Sequence, residues 1–324
     1  MNLDLIKGIC PIVAAPFARD ESVDYDSLRN LVKTLAEGGC HALTLFGIAG
    51  EYYKLDEAEQ REMMRVTVDE AHRHNVPVIV SNTRHSTANA VQFAKEIEKA
   101  GADCMMVLPP FFLKPGADLI CRHARTVAKA VPNLPVMMQY APEQTGVAIA
   151  PNVFARLTDE APNVVYYKIE CKPAGKYISN LIGLLGDRIR VFAGNAGYQM
   201  LETFDRGAVG AMPGCSMFDL YLDIYDKYFA GDRTGAIEAH NFILPILNHI
   251  RQNVEEIIYF EKKILMKRGI IETDVCRAPG FSTDEEFERL FEEYYAVTAR
   301  RFRREGAPKT FPQRLRGEGS GSEG

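Results

Sequence analysis

Apolar residues fall into eight short runs, 9–15, 42–46, 77–81, 104–108, 136–140, 164–169, 190–193 and 210–212, each bounded by Gly, Pro or Asn. Continuous apolar runs of this length mark strands buried on both faces. Between them the period changes. In 87–100, Ala90, Phe93, Ala94 and Ile97 recur at the i, i+3, i+4, i+7 spacing of a helix with one buried face. Gly38-Gly39, Gly101-Ala102 and Gly207-Ala208 stand where such helices should end. Asp56 with Glu59, and Thr283 with Glu286, have the spacing of a capping box. Eight strands, each followed by a helix, predict an α/β protein built as a closed (β/α)8 barrel. An open doubly wound sheet would want a Gly-rich phosphate loop after its first strand, where this chain reads Ala15-Pro16-Phe17-Ala18.

The helical period continues after the eighth run through 219–230, 234–253, 255–268 and 283–301. This divides the chain into a barrel over 1–230, a helical appendix over 231–301 and a tail over 302–324. The tail is basic, then rich in Gly and Ser, and holds too little apolar surface to fold alone.

Composition narrows the partners. Of 324 residues 47% are hydrophobic and 25% charged, with a net charge of −5 and a pI near 5.9. No broad basic field invites nucleic acid or anionic lipid. No apolar run approaches the ~20 residues that cross a bilayer, and residues 1–7 contain Asp4 and lack the apolar core of a secretory signal. The seven cysteines are an odd number, widely spread and without C-x-x-C, as expected of reduced thiols in a cytoplasmic protein. Glu51, His85 and Glu170 lack metal-site spacing, and H-E-x-x-H is absent, so neither a metal nor another cofactor is expected.

In a (β/α)8 barrel the chemistry sits at the C-terminal ends of the strands. Lys168 ends an apolar run, Val164-Val165-Tyr166-Tyr167, where an ammonium is costly. It is either a nucleophilic amine suited to imine formation, or a lysine snorkelling at the strand end or paired with Glu170. Glu170 lies two residues on and hence on the same strand face. Gly47-Ile48-Ala49-Gly50-Glu51 is either a plain βα turn or a loop whose backbone N–H groups hold a carboxylate. Gly194 and Asn195 follow strand seven, and Arg84 follows strand three as a cation expected at the mouth.

Together these residues resemble the dihydrodipicolinate synthase / N-acetylneuraminate lyase family of Schiff-base class I aldolases. Pro11-Ile12-Val13-Ala14-Ala15-Pro16-Phe17 matches its first strand and loop, and 47–51 its G-[ST]-x-G-E site. Pro109-Pro110-Phe111-Phe112 matches its P-Y-Y turn, Pro142-x-x-Thr145-Gly146 its strand-five loop, and Lys168 its Schiff-base lysine. The resemblance runs from about Gly8 to Arg301. It implies an imine on Lys168, the substrate carboxylate on the backbone of Gly47, Ile48, Ala49 and Gly50, no cofactor, and a homodimer or homotetramer. For the strand-five tyrosine, counting back from Pro142 gives Gln139 and counting forward to Lys168 gives Tyr140. We take Tyr140 as the inward, proton-handling group.

Three departures set this chain apart: Ile48 replaces a hydroxyl residue, Phe112 replaces the second tyrosine of P-Y-Y, and Gln144 replaces a carboxylate-gripping arginine. They argue against dihydrodipicolinate synthase activity. Lys168-Ile169-Glu170 and Met212-Pro213-Gly214 are more similar to a branch that acts on 2-keto-3-deoxy sugar acids. Three readings follow: a pyruvate-type aldolase on such acids; a dehydratase using the same imine, with Glu170 as acid or base; or a barrel that binds a ligand without turnover.

Overall fold

The computed structural model describes residues 2–302; the tail from 303 onward lies outside the described residues. The strands are β1 (Gly8–Ile9), β2 (Leu43–Leu45), β3 (Val78–Asn82), β4 (Cys104–Val107), β5 (Val136–Tyr140), β6 (Val164–Ile169), β7 (Arg190–Ala193) and β8 (Gly210–Ala211). They form one eight-stranded sheet in the order β1-β8-β7-β6-β5-β4-β3-β2, and every pair is parallel. Backbone hydrogen bonds join its two ends: Thr44 donates to the Pro11 carbonyl at 2.9 Å and Val13 to the Thr44 carbonyl at 2.8 Å. The chain therefore forms the expected barrel. β1 is shorter than the run 9–15 because Pro11 has no N–H to give the ladder.

Around the sheet lie α1 (Tyr25–Glu37), α2 (Glu57–Arg73), α3 (Thr87–Lys99), α4 (Ala117–Lys129), α5 (Pro142–Thr145), α6 (Pro151–Glu160), α7 (Gly175–Leu185), α8 (Met200–Asp205) and α9 (Phe218–Phe229). Asp56 and Glu59 make the expected capping box. Gly39, Gly101 and Gly207 leave α1, α3 and α8 at φ of 94°, 84° and 96°, a left-handed turn that glycine adopts without a Cβ penalty. Two apolar layers result. Cys10, Ile12, Ile79, Met106, Met137, Tyr166 and Phe192 fill the barrel, while Phe93, Val127, Phe154 and Tyr167 belong to the cluster between sheet and helices.

α10 (Arg233–Ile250), α11 (Val254–Lys267) and α12 (Glu285–Thr298) follow. Asp284, not Thr283, caps α12, accepting from the Phe287 amide at 2.8 Å; aspartate caps at least as well as threonine and stands one residue nearer the first turn. α11 packs on the turn at 48–50 and secures it through charge. Glu51 is fully buried at φ 56°, ion-paired with Lys262 and with Lys54 at 3.2 Å. Lys262 also lies 4.2 Å from the Phe17 ring centroid and donates to the Val275 carbonyl at 2.9 Å. Removing one partner of such a buried pair costs about 3–5 kcal/mol, so the left-handed residue that ends the loop is held from outside the barrel. Among the described residues no helix is long and apolar enough to cross a membrane.

Candidate active site

Lys168 is inside the barrel. It lies beside Gln139 in the parallel ladder, and residues paired in this way project to the same face of a sheet. Glu170, two positions on, shares that face at the C-terminal end of β6. The three form one connected group: Lys168 Nζ stands 3.1 Å from Glu170 Oε1, and Gln139 Nε2 donates to Glu170 Oε2 at 2.7 Å. Lys168 is 3%, Gln139 1% and Glu170 9% exposed, so they interact with little solvent between them. Burial works against a charge on Glu170. The Lys168 ammonium, with hydrogen bonds from Gln139, Lys168 and the Asn195 amide, outweighs it and holds the carboxyl below its ordinary range.

β7 supplies the support. A Cβ on Gly194 would come within 2.1 Å of Glu170 Cγ, so only glycine leaves room for this carboxylate. Asn195 Nδ2 donates to the Glu170 carbonyl at 2.6 Å, and the Asn195 amide approaches Glu170 Oε1 at 3.5 Å. On the far side of the mouth Ile48–Gly50 form a single 3-10 turn after β2. The Gly50 amide is used by the turn, donating to the Gly47 carbonyl at 2.8 Å. The first amides of a helical turn have no partner within it, so the turn leaves the Ile48 and Ala49 N–H groups unused. The glycines also have packing reasons, since a Cβ on Gly47 would meet Ile12 at 2.7 Å and one on Gly50 the Val13 carbonyl at 2.9 Å.

Two expected site residues lie elsewhere. Tyr140 is not inward. It pairs with Ile169 in the ladder and belongs to the layer between sheet and helices, stacked on Tyr177 at 4.5 Å and edge-on to Phe154 at 5.7 Å. Its hydroxyl accepts from the Ile149 amide at 3.4 Å. Gln139 takes the inward position. Arg84 does not face the mouth either. Its guanidinium lies over the Phe93 ring at 4.5 Å and donates to Gln60 at 2.9 Å, between α2 and α3, because that side chain finds an aromatic face and an acceptor there. Gln144, on α5, and Phe112 are exposed.

One group was not foreseen. Arg251, directly after α10, donates from Nη2 to Asn195 Oδ1 at 3.0 Å and stands 4.8 Å from the Tyr198 ring centroid. No local motif marks it, since Asn195 is 56 positions away in the chain.

The geometry defines a (β/α)8 barrel with a buried lysine and carboxylate at the C-terminal mouth, the face where barrel enzymes do their chemistry. Residues 5–295 match the Dihydrodipicolinate synthetase family, and the chain belongs to that family, whose members are lyases or aldolases. It is 29% identical to 4-hydroxy-tetrahydrodipicolinate synthase of Thermus thermophilus, over 88% of this chain and 94% of that one. It is 28% identical to L-2-keto-3-deoxyarabonate dehydratase of Azospirillum brasilense, over 84% and 88% respectively. The crystal structure of dihydrodipicolinate synthase from Rhodopseudomonas palustris superposes with a TM-score of 0.85 at 26% identity, covering 91% of this chain and 99% of that one.

Gln139→Ala is expected to lower turnover substantially, because it removes the 2.7 Å hydrogen bond that orients Glu170. Tyr140→Phe keeps the stacked ring and should change kcat less than threefold, on the scale of one weak hydrogen bond. Steady-state kinetics on the two variants decide it; the reverse ranking would return the proton-handling role to Tyr140.

Proposed function

We propose that the protein is a Schiff-base lyase of 2-oxo acids that dehydrates 2-keto-3-deoxy sugar acids. The observation that carries this reading is the buried Glu170 carboxylate 3.1 Å from Lys168 Nζ, oriented by Gln139. Lys168 passes a proton to Glu170 and attacks the C2 carbonyl as the amine; the C2 oxygen leaves as water, taking that proton, so that a protonated imine forms and Glu170 is again a carboxylate. The substrate carboxylate is held by the Ile48 and Ala49 N–H groups. The iminium acidifies C3. Glu170 removes a C3 proton to give the enamine, then returns it to the C4 hydroxyl, which departs as water and leaves a C3=C4 bond conjugated to the iminium. Hydrolysis releases the unsaturated 2-oxo acid and restores Lys168. No cofactor takes part in any of these steps.

Gln139 at the inward position of β5 supports dehydration over a tyrosine-mediated aldol relay, because an amide orients a carboxylate but does not titrate near neutral pH. The likeness to the Azospirillum dehydratase points the same way. Synthase activity of the kind that names the Thermus relative is not proposed, since at the position after β5 where the sequence comparison expects an arginine this chain has the neutral Gln144. Phe112 and Leu113, 81% and 86% exposed on the loop after β4, support self-association through that loop.

The test is a panel of 2-keto-3-deoxy pentonic and hexonic acids with products identified by NMR. Loss of water with the carbon chain intact is expected. Release of pyruvate and an aldehyde would replace dehydration by aldol cleavage, which breaks C3–C4 from the same imine. Turnover of none of them, together with tight binding, would make the barrel a ligand-binding protein.

A further inference from the structure

Arg251 is a cation at the barrel mouth without an anion. No carboxylate lies within ion-pairing distance of it among the described residues. Its Nε is buried and has no hydrogen-bond partner, while Nη2 donates to the neutral oxygen of Asn195 and the guanidinium also interacts with the neutral Tyr198 hydroxyl. The nearby acid on the next helix, Glu256, forms no ion pair with it: Oε2 accepts from the Gln252 amide at 3.1 Å and from Asn253 Nδ2 at 3.2 Å, and Oε1 is buried without a hydrogen-bond partner. A partly buried guanidinium left in this state is costly, and Tyr198, 4.8 Å away, compensates only in part.

The loop on which Arg251 rests is strained and heavily braced. Asn195 and Ala196 are consecutive left-handed residues at φ 51° and 50°, an uncommon state for side chains other than glycine. They are held by Asn195 Nδ2 on the Glu170 carbonyl, by Arg251 on Asn195 Oδ1, and by the Tyr221 hydroxyl on the Ala196 carbonyl at 3.1 Å. Strain held in this way clusters at ligand sites. The same bonds connect Arg251 to the lysine–carboxylate pair, through Asn195 and Glu170.

Charge balance identifies what is missing. Lys168 and Glu170 neutralise one another, and the C1 carboxylate of a 2-oxo acid is held on the opposite rim. Arg251 then remains as a positive charge without an ion-pair partner on the β7 side of the mouth. We propose that Arg251 receives a second carboxylate at the far end of the substrate, so that the enzyme prefers 2-oxo diacids, 2-keto-3-deoxy acids whose terminal carbon is oxidised, over those ending in a hydroxymethyl group. This rests on the imine reading above. A guanidinium fork matches a carboxylate with two parallel hydrogen bonds, which a terminal hydroxyl does not supply.

The experiment is reductive trapping at Lys168 with three 2-oxo acids: pyruvate, 2-oxopentanoate and 2-oxoglutarate, the last two equal in chain length and differing in the far end. Half-saturating concentrations are read by mass spectrometry of the adduct. The wild type should capture 2-oxoglutarate at a lower concentration than 2-oxopentanoate. In Arg251→Gln that preference should shrink roughly ten- to a hundredfold, the effect of losing a hydrogen-bonded charge pair, and Arg251→Lys should retain part of it. A ratio taken between two ligands of one protein does not depend on how much of each variant folds. Equal capture of the two five-carbon acids by the wild type, or a preference unchanged in Arg251→Gln, overturns the proposal while a pyruvate adduct leaves the imine reading intact. Absence of any adduct, pyruvate included, removes both.

Discussion

Lys168→Met should abolish the borohydride-stable adduct and all turnover. In the wild type, pyruvate and borohydride should add one reduced pyruvyl group, and peptide mapping should find it on Lys168. Methionine fills the space of the lysine stem but offers no amine, so no imine forms. The chain carries its own control. Lys262 is also buried, at 1% exposure, but its ammonium is committed to Glu51 and the Val275 carbonyl. An adduct on Lys262, or turnover by Lys168→Met, would refute the assignment. Removing Lys168 also leaves Glu170 buried without its cation, at a cost of about 3–5 kcal/mol. The double variant Lys168→Met/Glu170→Gln removes both charges; if it is folded and gives no adduct, while Glu170→Gln alone still traps pyruvate, the loss in the single variant is chemical and not a failure to fold.

Glu170→Gln should separate imine formation from the step that follows. The amide keeps the shape of the carboxylate and still accepts from Gln139, so trapping of pyruvate on Lys168 persists. Turnover should fall by roughly 10²–10⁴, the contribution of a positioned general acid or base. The pH profile gives a second readout. Glu170 is held below the ordinary carboxylate range, so its folded state stays ionised to lower pH than an exposed glutamate, and base function is lost only as pH falls through that depressed value. The acid limb of kcat should therefore lie below the usual glutamate range in the wild type and disappear from the residual activity of Glu170→Gln. Wild-type rates in that variant would reduce Glu170 to an ion-pair partner of Lys168.

The barrel, its strands and its lysine were legible in the sequence for local reasons. Strands buried on both faces must be short and apolar, and β5, β6 and β7 coincide with the runs 136–140, 164–169 and 190–193. A lysine at the end of such a run has to face a polar interior or pair with an acid, and Glu170 lies on its face because strand side chains repeat every two residues. Register was not legible. β6 carries an irregularity: Val136 pairs with Val164 but Met137 with Tyr166, which leaves Val165 out of the ladder. Counting along the chain to Lys168 therefore lands one residue off on β5, and one residue is enough to turn a side chain to the other face. The sequence count therefore points to Tyr140, while the ladder puts Gln139 inward. The direction of Arg84 is not legible in the sequence, because a long side chain beyond a strand end goes where its contacts are, and only packing puts the Phe93 ring and Gln60 beside it. Arg251 needed the tertiary structure altogether: its place at the mouth depends on α10 ending against the β7 loop, a meeting of segments 56 positions apart that no local pattern encodes.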